Sequence, residues 1–177
     1  MRVIFRRTGE RRYAVVVEVP GQAAQTMNPA PGFDAHIPHD LVHYVVEATL
    51  GLEAAVFGRA ARGGGTFYAV GTATNAREQA RKRRKQARRE AGLGRAHANE
   101  EQLETSERIA YLSDIAWRRR HGQRPDPGYA SAPSPYSALD ATRVERVVSV
   151  LDELAPRWNQ LAIGGELTFT WPSLLLT

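Results

Sequence analysis

Arg2-Val-Ile-Phe-Arg-Arg-Thr-Gly-Glu-Arg-Arg-Tyr-Ala-Val-Val-Val-Glu-Val19 opens the chain with two runs of β-branched and aromatic residues around one glycine. Such runs favour strands, and the Arg7-Thr-Gly-Glu-Arg11 segment supplies the glycine that a tight connection needs, so the stretch reads as a β-hairpin. Alternation puts Tyr13, Val15, Val17 and Val19 on one face and Ala14, Val16 and Glu18 on the other. At the far end, Glu166-Leu-Thr-Phe-Thr-Trp171 alternates strictly after Gly164-Gly165. Leu167, Phe169 and Trp171 face inward there, and Pro172 closes the strand. Strands at both ends and helical patterns between them predict an α+β fold. Its small antiparallel sheet, the N-terminal hairpin plus the C-terminal strand, packs against three or four helices.

Residues 20–33 carry three prolines and two glycines and read as a loop. Pro38 suits the first position of a helix and Gly51 its stop, with Leu41, Val42, Val45, Ala48 and Thr49 as the apolar stripe. A second apolar stretch, residues 52–61, runs into the glycine-rich turn Gly63-Gly-Gly65, and residues 66–70 form a short strand. A further helix spans residues 99–121. Asn99 caps it, Glu100 and Glu101 sit at its positive end, and Arg118-Arg-Arg-His121 sits at its negative end. Its core face is Ile109, Tyr111, Leu112, Ile115 and Ala116. Ser137-Ala-Leu-Asp140 is an acidic capping box opening a last helix with the stripe Val144, Val147, Val148, Leu151, Ala155 and Trp158. Pro156 removes one backbone bond there and predicts a kink or restart. Trp117, Trp158 and Trp171 read as core residues.

A chain of 177 residues supports one domain with its own core. Residues 74–98 are a basic helical excursion within it, and residues 122–137 a Pro/Gly/Ser-rich connector. With no cysteine, disulfides, thiolate zinc sites and cysteine nucleophiles are excluded together. No apolar run reaches membrane-spanning length and the first residues lack a secretory apolar core, so a soluble cytoplasmic protein is expected. No nucleophile-elbow motif is present, and Gly63-Gly-Gly65 lacks the lysine of a phosphate loop.

Two segments carry the rest of the chemistry. In Ile37-Pro-His-Asp-Leu-Val-His-Tyr-Val-Val-Glu47 the imidazoles of His39 and His43 stand one helical turn apart, and Glu47 one turn further on. H-D-x-x-H is a variant of the zinc-protease pattern, in which two histidines bind zinc and an acid activates water. Here His39 and His43 are the candidate ligands for zinc or another divalent metal, with Glu47 or His36 as a third and Asp40 as the general base. Asp40 is one methylene shorter than the usual glutamate, and no downstream motif completes the set. The competing expectation makes Asp40 a helix-end carboxylate and His39, His43 and Glu47 a solvated stripe at the border of the apolar face.

The second segment, residues 77–95, holds Arg77, Arg81, Lys82, Arg83, Arg84, Lys85, Arg88, Arg89 and Arg95 against Glu78 and Glu90. That is nine minus two, or +7, so the remainder of the +5 chain nets −2. Its only apolar stripe is alanine (Ala76, Ala80, Ala87, Ala91), and alanine methyls bury little area. A helix that projects from the domain or lies on its surface is therefore expected. Arg81, Lys82, Arg84, Lys85, Arg88 and Arg89 are the candidate polyanion-binding residues, joined by Arg6, Arg7, Arg11 and Arg12 at the hairpin tip and by Arg118 to Arg120. Such a surface suits nucleic acid or an acidic protein partner. Pairing with Glu100, Glu101, Glu104 and Glu107 is the alternative fate of the run. The expectation is a non-enzymatic binding or regulatory protein, with a divalent-metal hydrolase on the H-D-x-x-H helix as the alternative.

The pair of segments Ile37-Pro-His-Asp-Leu-Val-His-Tyr-Val-Val-Glu47 and Gly164-Gly-Glu-Leu-Thr-Phe-Thr-Trp-Pro172 resembles a family of uncharacterised small bacterial proteins. The resemblance covers roughly the two terminal thirds and omits the basic middle. It implies a bacterial, soluble domain and no particular chemistry.

Overall fold

Strands β1 (Arg2–Gly9) and β2 (Arg12–Glu18) form the expected hairpin, with Val3 opposite Val17 and Phe5 opposite Val15. The pairing shifts register between Arg7 and Gly9, a bulge beside the turn. In this computed structural model the described residues are 1–30, 36–64, 67–69, 96–124 and 137–177. The C-terminal strand β5 (Glu166–Thr170) lies antiparallel on the other side of β1, placing Phe169 opposite Val3 and Leu167 opposite Phe5. Two further strands widen the sheet. β3 (Gln25–Met27) pairs with β2, and β4 (Tyr68–Ala69) pairs with β3, giving the antiparallel order β4-β3-β2-β1-β5. The loop reading of residues 20–33 is thus corrected at Gln25–Met27. Three partly buried residues carry too little alternation to register as a strand, yet Thr26 pairs with Val16 and donates its hydroxyl to the Val15 carbonyl at 3.1 Å.

Strand residues Val3, Phe5, Tyr13, Val15, Val17, Leu167 and Phe169 are buried in one cluster with the helices. Those helices are α1 (His39–Leu50), α2 (Val56–Ala61), α3 (Ala96–Arg120) and α4 (Ala138–Asn159). Each of α1, α3 and α4 packs on the other two. Aromatic rings knit sheet to helix: Phe5 meets Tyr44 edge-on at 5.8 Å and Phe169 at 5.9 Å, while Tyr44 lies 5.2 Å from Phe57. Fully burying such side chains contributes roughly 1.5–3 kcal/mol each.

Local chemistry explains the helix limits. Pro38 stands at the N-cap of α1, one residue earlier than expected, and Gly51 ends the helix in the left-handed region at φ 67°. Ser137 caps α4 by accepting the Asp140 N–H at 3.1 Å, as the capping-box reading requires. Val144, Val147, Val148, Leu151, Ala155 and Trp158 are all buried. The restart offered for Pro156 is absent. α4 runs through it as one element, because in the final turn the ring forfeits a single bond.

The reading of α3 needs two corrections. Asn99 lies inside the helix rather than capping it. The buried face is Ser106, Ile109, Ala110, Ser113 and Trp117, flanked by Leu112 and Ile115, while Tyr111 and Ala116 are only partly covered. Among the described residues no helix is long and apolar enough to cross a membrane.

Candidate functional site

The i, i+4 spacing of α1 does bring the two imidazoles together. His39 Nε2 and His43 Nε2 stand 3.1 Å apart, with the ring planes inclined by 78°. The expected solvated stripe is not what surrounds them, because α3 packs over it. His43 is buried, Glu47 is fully buried and His39 is half-buried.

A chain of polar contacts runs inward from the pair. His43 Nδ1 lies 3.1 Å from the Ser106 hydroxyl of α3, and that hydroxyl donates to Glu47 Oε1 at 3.1 Å. The Glu47 carboxylate also accepts the Val56 N–H at 3.1 Å and the Phe57 N–H at 2.8 Å. These are the first residues of α2, whose backbone donors have no partner inside the helix. Glu47 therefore joins three elements: its own helix α1, the start of α2 and Ser106 on α3. Its oxygens serve three donors.

Counting hydrogens assigns the tautomer. Ser106 has one hydroxyl hydrogen, and above about pH 7, where Glu47 is ionised, its carboxylate accepts it. Ser106 Oγ then only accepts from His43, which places the His43 hydrogen on Nδ1 and a lone pair on Nε2. Burial, with the nearby His39 charge second, pushes the His43 pKa down to about 3, so the ring is neutral. Burial pushes Glu47 up to about 7, against the lowering effect of the bonds from Phe57, Ser106 and Val56.

Asp40 occupies the second position of α1, and its contacts are those of an anchor. The Tyr13 hydroxyl of β2 donates to Asp40 Oδ2 at 2.7 Å and accepts the Asp40 N–H at 3.2 Å. Burial raises the Asp40 pKa; the Tyr13 bond and the His39 charge oppose that, and Glu107 adds to it. His36 is exposed, outside the pair. Glu107 of α3 does approach it, with Oε2 3.7 Å from His43 Nε2 on a side chain 62% exposed. Among the described residues no group of three or more His, Asp or Glu side chains is arranged to hold a metal ion. What the fold assembles is a two-imidazole pair backed by a Ser–Glu relay.

Sequence reasoning missed Ser106, Glu107 and Tyr13. Ser106 carried a usable signal: with Ile109, Ser113 and Trp117 it recurs at helical spacing on a packed face, where serine is uncommon. Ser113 on the same face has a buried hydroxyl without a partner among the described residues, so a serine in that stripe does not by itself reveal a contact.

The basic candidates Arg81, Lys82, Arg84, Lys85, Arg88 and Arg89 lie outside the described residues, as do most of the 74–98 excursion and of the 122–137 connector. Several cations expected to converge with them have internal partners. Arg6 pairs with Glu166 at 2.6 Å, and Arg7 donates to the Asn159 and Leu161 carbonyls. Arg118 pairs with Asp114 at 2.8 Å, while Arg120 bridges Glu145 and Asp152 of α4. Asp152 also meets His121 at 2.8 Å and so clamps the end of α3 to α4.

The chain matches no protein-family profile, no curated protein and no solved structure.

Proposed function

We propose that this chain is a non-enzymatic binding or regulatory protein whose arginine-rich run, residues 77–95, engages a polyanion, with nucleic acid as the partner of first choice. The observation that carries the reading is the charge distribution. Nineteen residues hold a net +7, and the rest of the chain nets −2. Arg6, Arg7, Arg118 and Arg120 have internal acceptors, so the run does not depend on them for its charge. Counterion release then makes binding steeply salt-dependent.

The test is a mobility-shift titration with duplex DNA and with RNA at low and moderate salt. Wild-type affinity should fall roughly 10³-fold between about 50 and 200 mM salt if some six phosphates are neutralised. Replacing Arg81, Lys82, Arg84, Lys85, Arg88 and Arg89 by glutamine should flatten that dependence. Affinity indifferent to salt, or equal in the variant, overturns the reading.

A divalent-metal hydrolase centred on His39 and His43 is the second reading, favoured by the 3.1 Å approach of their Nε2 atoms. Its hydrolytic half is the weaker one. Asp40 serves Tyr13 and Glu47 serves three donors, leaving Glu107 as the carboxylate beside the pair.

A further inference from the structure

We infer that His39 and His43 form an open two-nitrogen site for a late first-row divalent cation, zinc being the reference ion, with Ser106 and Glu47 holding His43 in the ligating tautomer. This is independent of the polyanion reading and requires no hydrolysis.

The first argument is distance. Zinc–imidazole bonds of about 2.0–2.1 Å place two tetrahedral ligand nitrogens about 3.3 Å apart, and two at a right angle about 2.9 Å apart. The Nε2 atoms of His39 and His43 stand between those values at 3.1 Å. The spacing therefore suits one cation held by both nitrogens. Without a cation, a hydrogen on His39 Nε2 bridges the gap to the His43 lone pair. On binding, the metal takes the place of that hydrogen, and the proton moves to His39 Nδ1 or to solvent.

The second argument is the outer shell. A ligating histidine needs its other ring nitrogen held by an acceptor, which sets the tautomer and raises the basicity of the ligating atom. His43 Nδ1 has such an acceptor in Ser106, oriented in turn by Glu47, and both are buried. A polar relay of this kind is more than a helix–helix contact requires, as a small apolar residue at position 106 would pack there without three donors and acceptors to satisfy.

Access and selectivity follow from the surroundings. His39 is half-buried and the exposed Glu107 reaches to 3.7 Å from His43 Nε2, so the pair sits at an opening to solvent. With two protein nitrogens, the remaining positions fall to water or to a donor carried by a bound ligand. Imidazole nitrogens favour zinc, copper, nickel and cobalt over magnesium or calcium.

The experiment is a competition titration of the full chain with zinc against a chromophoric chelator, repeated with cobalt(II) to read its visible absorption. His39→Ala is the diagnostic variant, because His39 is only half-buried and its loss leaves the relay in place. His36→Ala is the control, a nearby exposed histidine outside the pair. Zinc should bind one-to-one to wild type and to His36→Ala, and at least about 100-fold more weakly to His39→Ala, the upper end of what outer-shell changes alone cost. Cobalt absorption should be lost with it. The thermal midpoint of His39→Ala without metal checks that it is folded. Absent saturable binding by wild type, or equal affinity in a folded His39→Ala protein, overturns the site.

Discussion

Ser106 donates its hydroxyl hydrogen to Glu47 across 3.1 Å, joining residues 59 positions apart in the chain within a fully buried contact. The contact settles what Glu47 is for. Its carboxylate holds α3 through Ser106 and the start of α2 through Val56 and Phe57, so three helices meet on one side chain.

Glu47→Gln should therefore be destabilising even though the shapes are nearly the same. An amide has one acceptor oxygen, and in either orientation its NH2 group faces a backbone N–H, of Val56 or of Phe57. One buried donor is left unmatched, at a cost of about 1–3 kcal/mol. Urea unfolding measures it, and a variant as stable as wild type would show that the carboxylate is not an acceptor for all three donors.

The same relay makes the tautomer of His43 readable. Above pH 7, with Glu47 ionised, nitrogen NMR should find the His43 hydrogen on Nδ1. Protonating Glu47 reverses the direction of donation: its own hydrogen goes to Ser106 Oγ, Ser106 turns its hydrogen to His43 Nδ1, and the imidazole hydrogen moves to Nε2. A tautomer that stays the same on both sides of the Glu47 titration would break the relay assignment.

Much of this arrangement was legible before any coordinates, and the remainder was hidden for identifiable reasons. Period-two alternation in residues 12–19 and 166–171 placed Tyr13, Val15, Val17, Leu167 and Phe169 on the faces that meet in a common core. The stripe from Val144 to Trp158 did the same for α4. Spacing along α1 found the His39–His43 pair, because that contact lies within one helix. It could not find Ser106 or Tyr13, since the contacts that define their roles are set by packing between elements 63 and 27 positions apart. The stripe was read as solvated for the same reason: a helix wheel describes one helix, and burial of Glu47 depends on α3. β3 was missed because its three residues are held by backbone pairing, which leaves little trace in side-chain pattern.

Opposed titrations should shape the pH dependence of stability. Glu47, raised from 4.5 to about 7, binds its proton more tightly in the folded state, so its contribution is largest at low pH and declines as pH rises towards 7. His43, lowered from 6.5 to about 3, is buried neutral, so its contribution is complete above 6.5 and is lost as pH falls towards 3. Between 4.5 and 6.5 the two slopes oppose each other. The difference between Glu47→Gln and wild type isolates one group. The variant's deficit should shrink by up to about 1.4 kcal/mol per pH unit as pH rises from 4.5 to 7. Parallel stability curves would mean that Glu47 titrates near its ordinary value when folded.

Gly58 should not tolerate a side chain. A Cβ there would lie 2.1 Å from the Glu53 carbonyl oxygen, a backbone atom that moves only if the α1–α2 connection moves. That connection also positions the Val56 and Phe57 donors on Glu47. Gly58→Ala, which in an open helix would be mildly favourable, is expected instead to cost about 1–3 kcal/mol or more through overpacking. A thermal midpoint at or above that of wild type would show that the connection relaxes freely.

Tyr13→Phe tests the other buried carboxylate. The Tyr13 hydroxyl both donates to Asp40 Oδ2 and accepts the Asp40 N–H, so it ties strand β2 to the first turn of α1 at the end that carries His39. Removing one oxygen leaves a buried carboxylate oxygen and a buried N–H short of a partner, while the ring stays packed edge-on against Trp158 at 6.3 Å. The cost should be about 1–3 kcal/mol where Asp40 is ionised. It should shrink on acidification, since the Tyr13 bond favours the ionised carboxylate and a protonated Asp40 has less need of that donor. Denaturant unfolding of both proteins across the acid range gives the answer. A loss that stays constant with pH would mean the hydroxyl matters for packing alone, and that Asp40 does not depend on it for its charge.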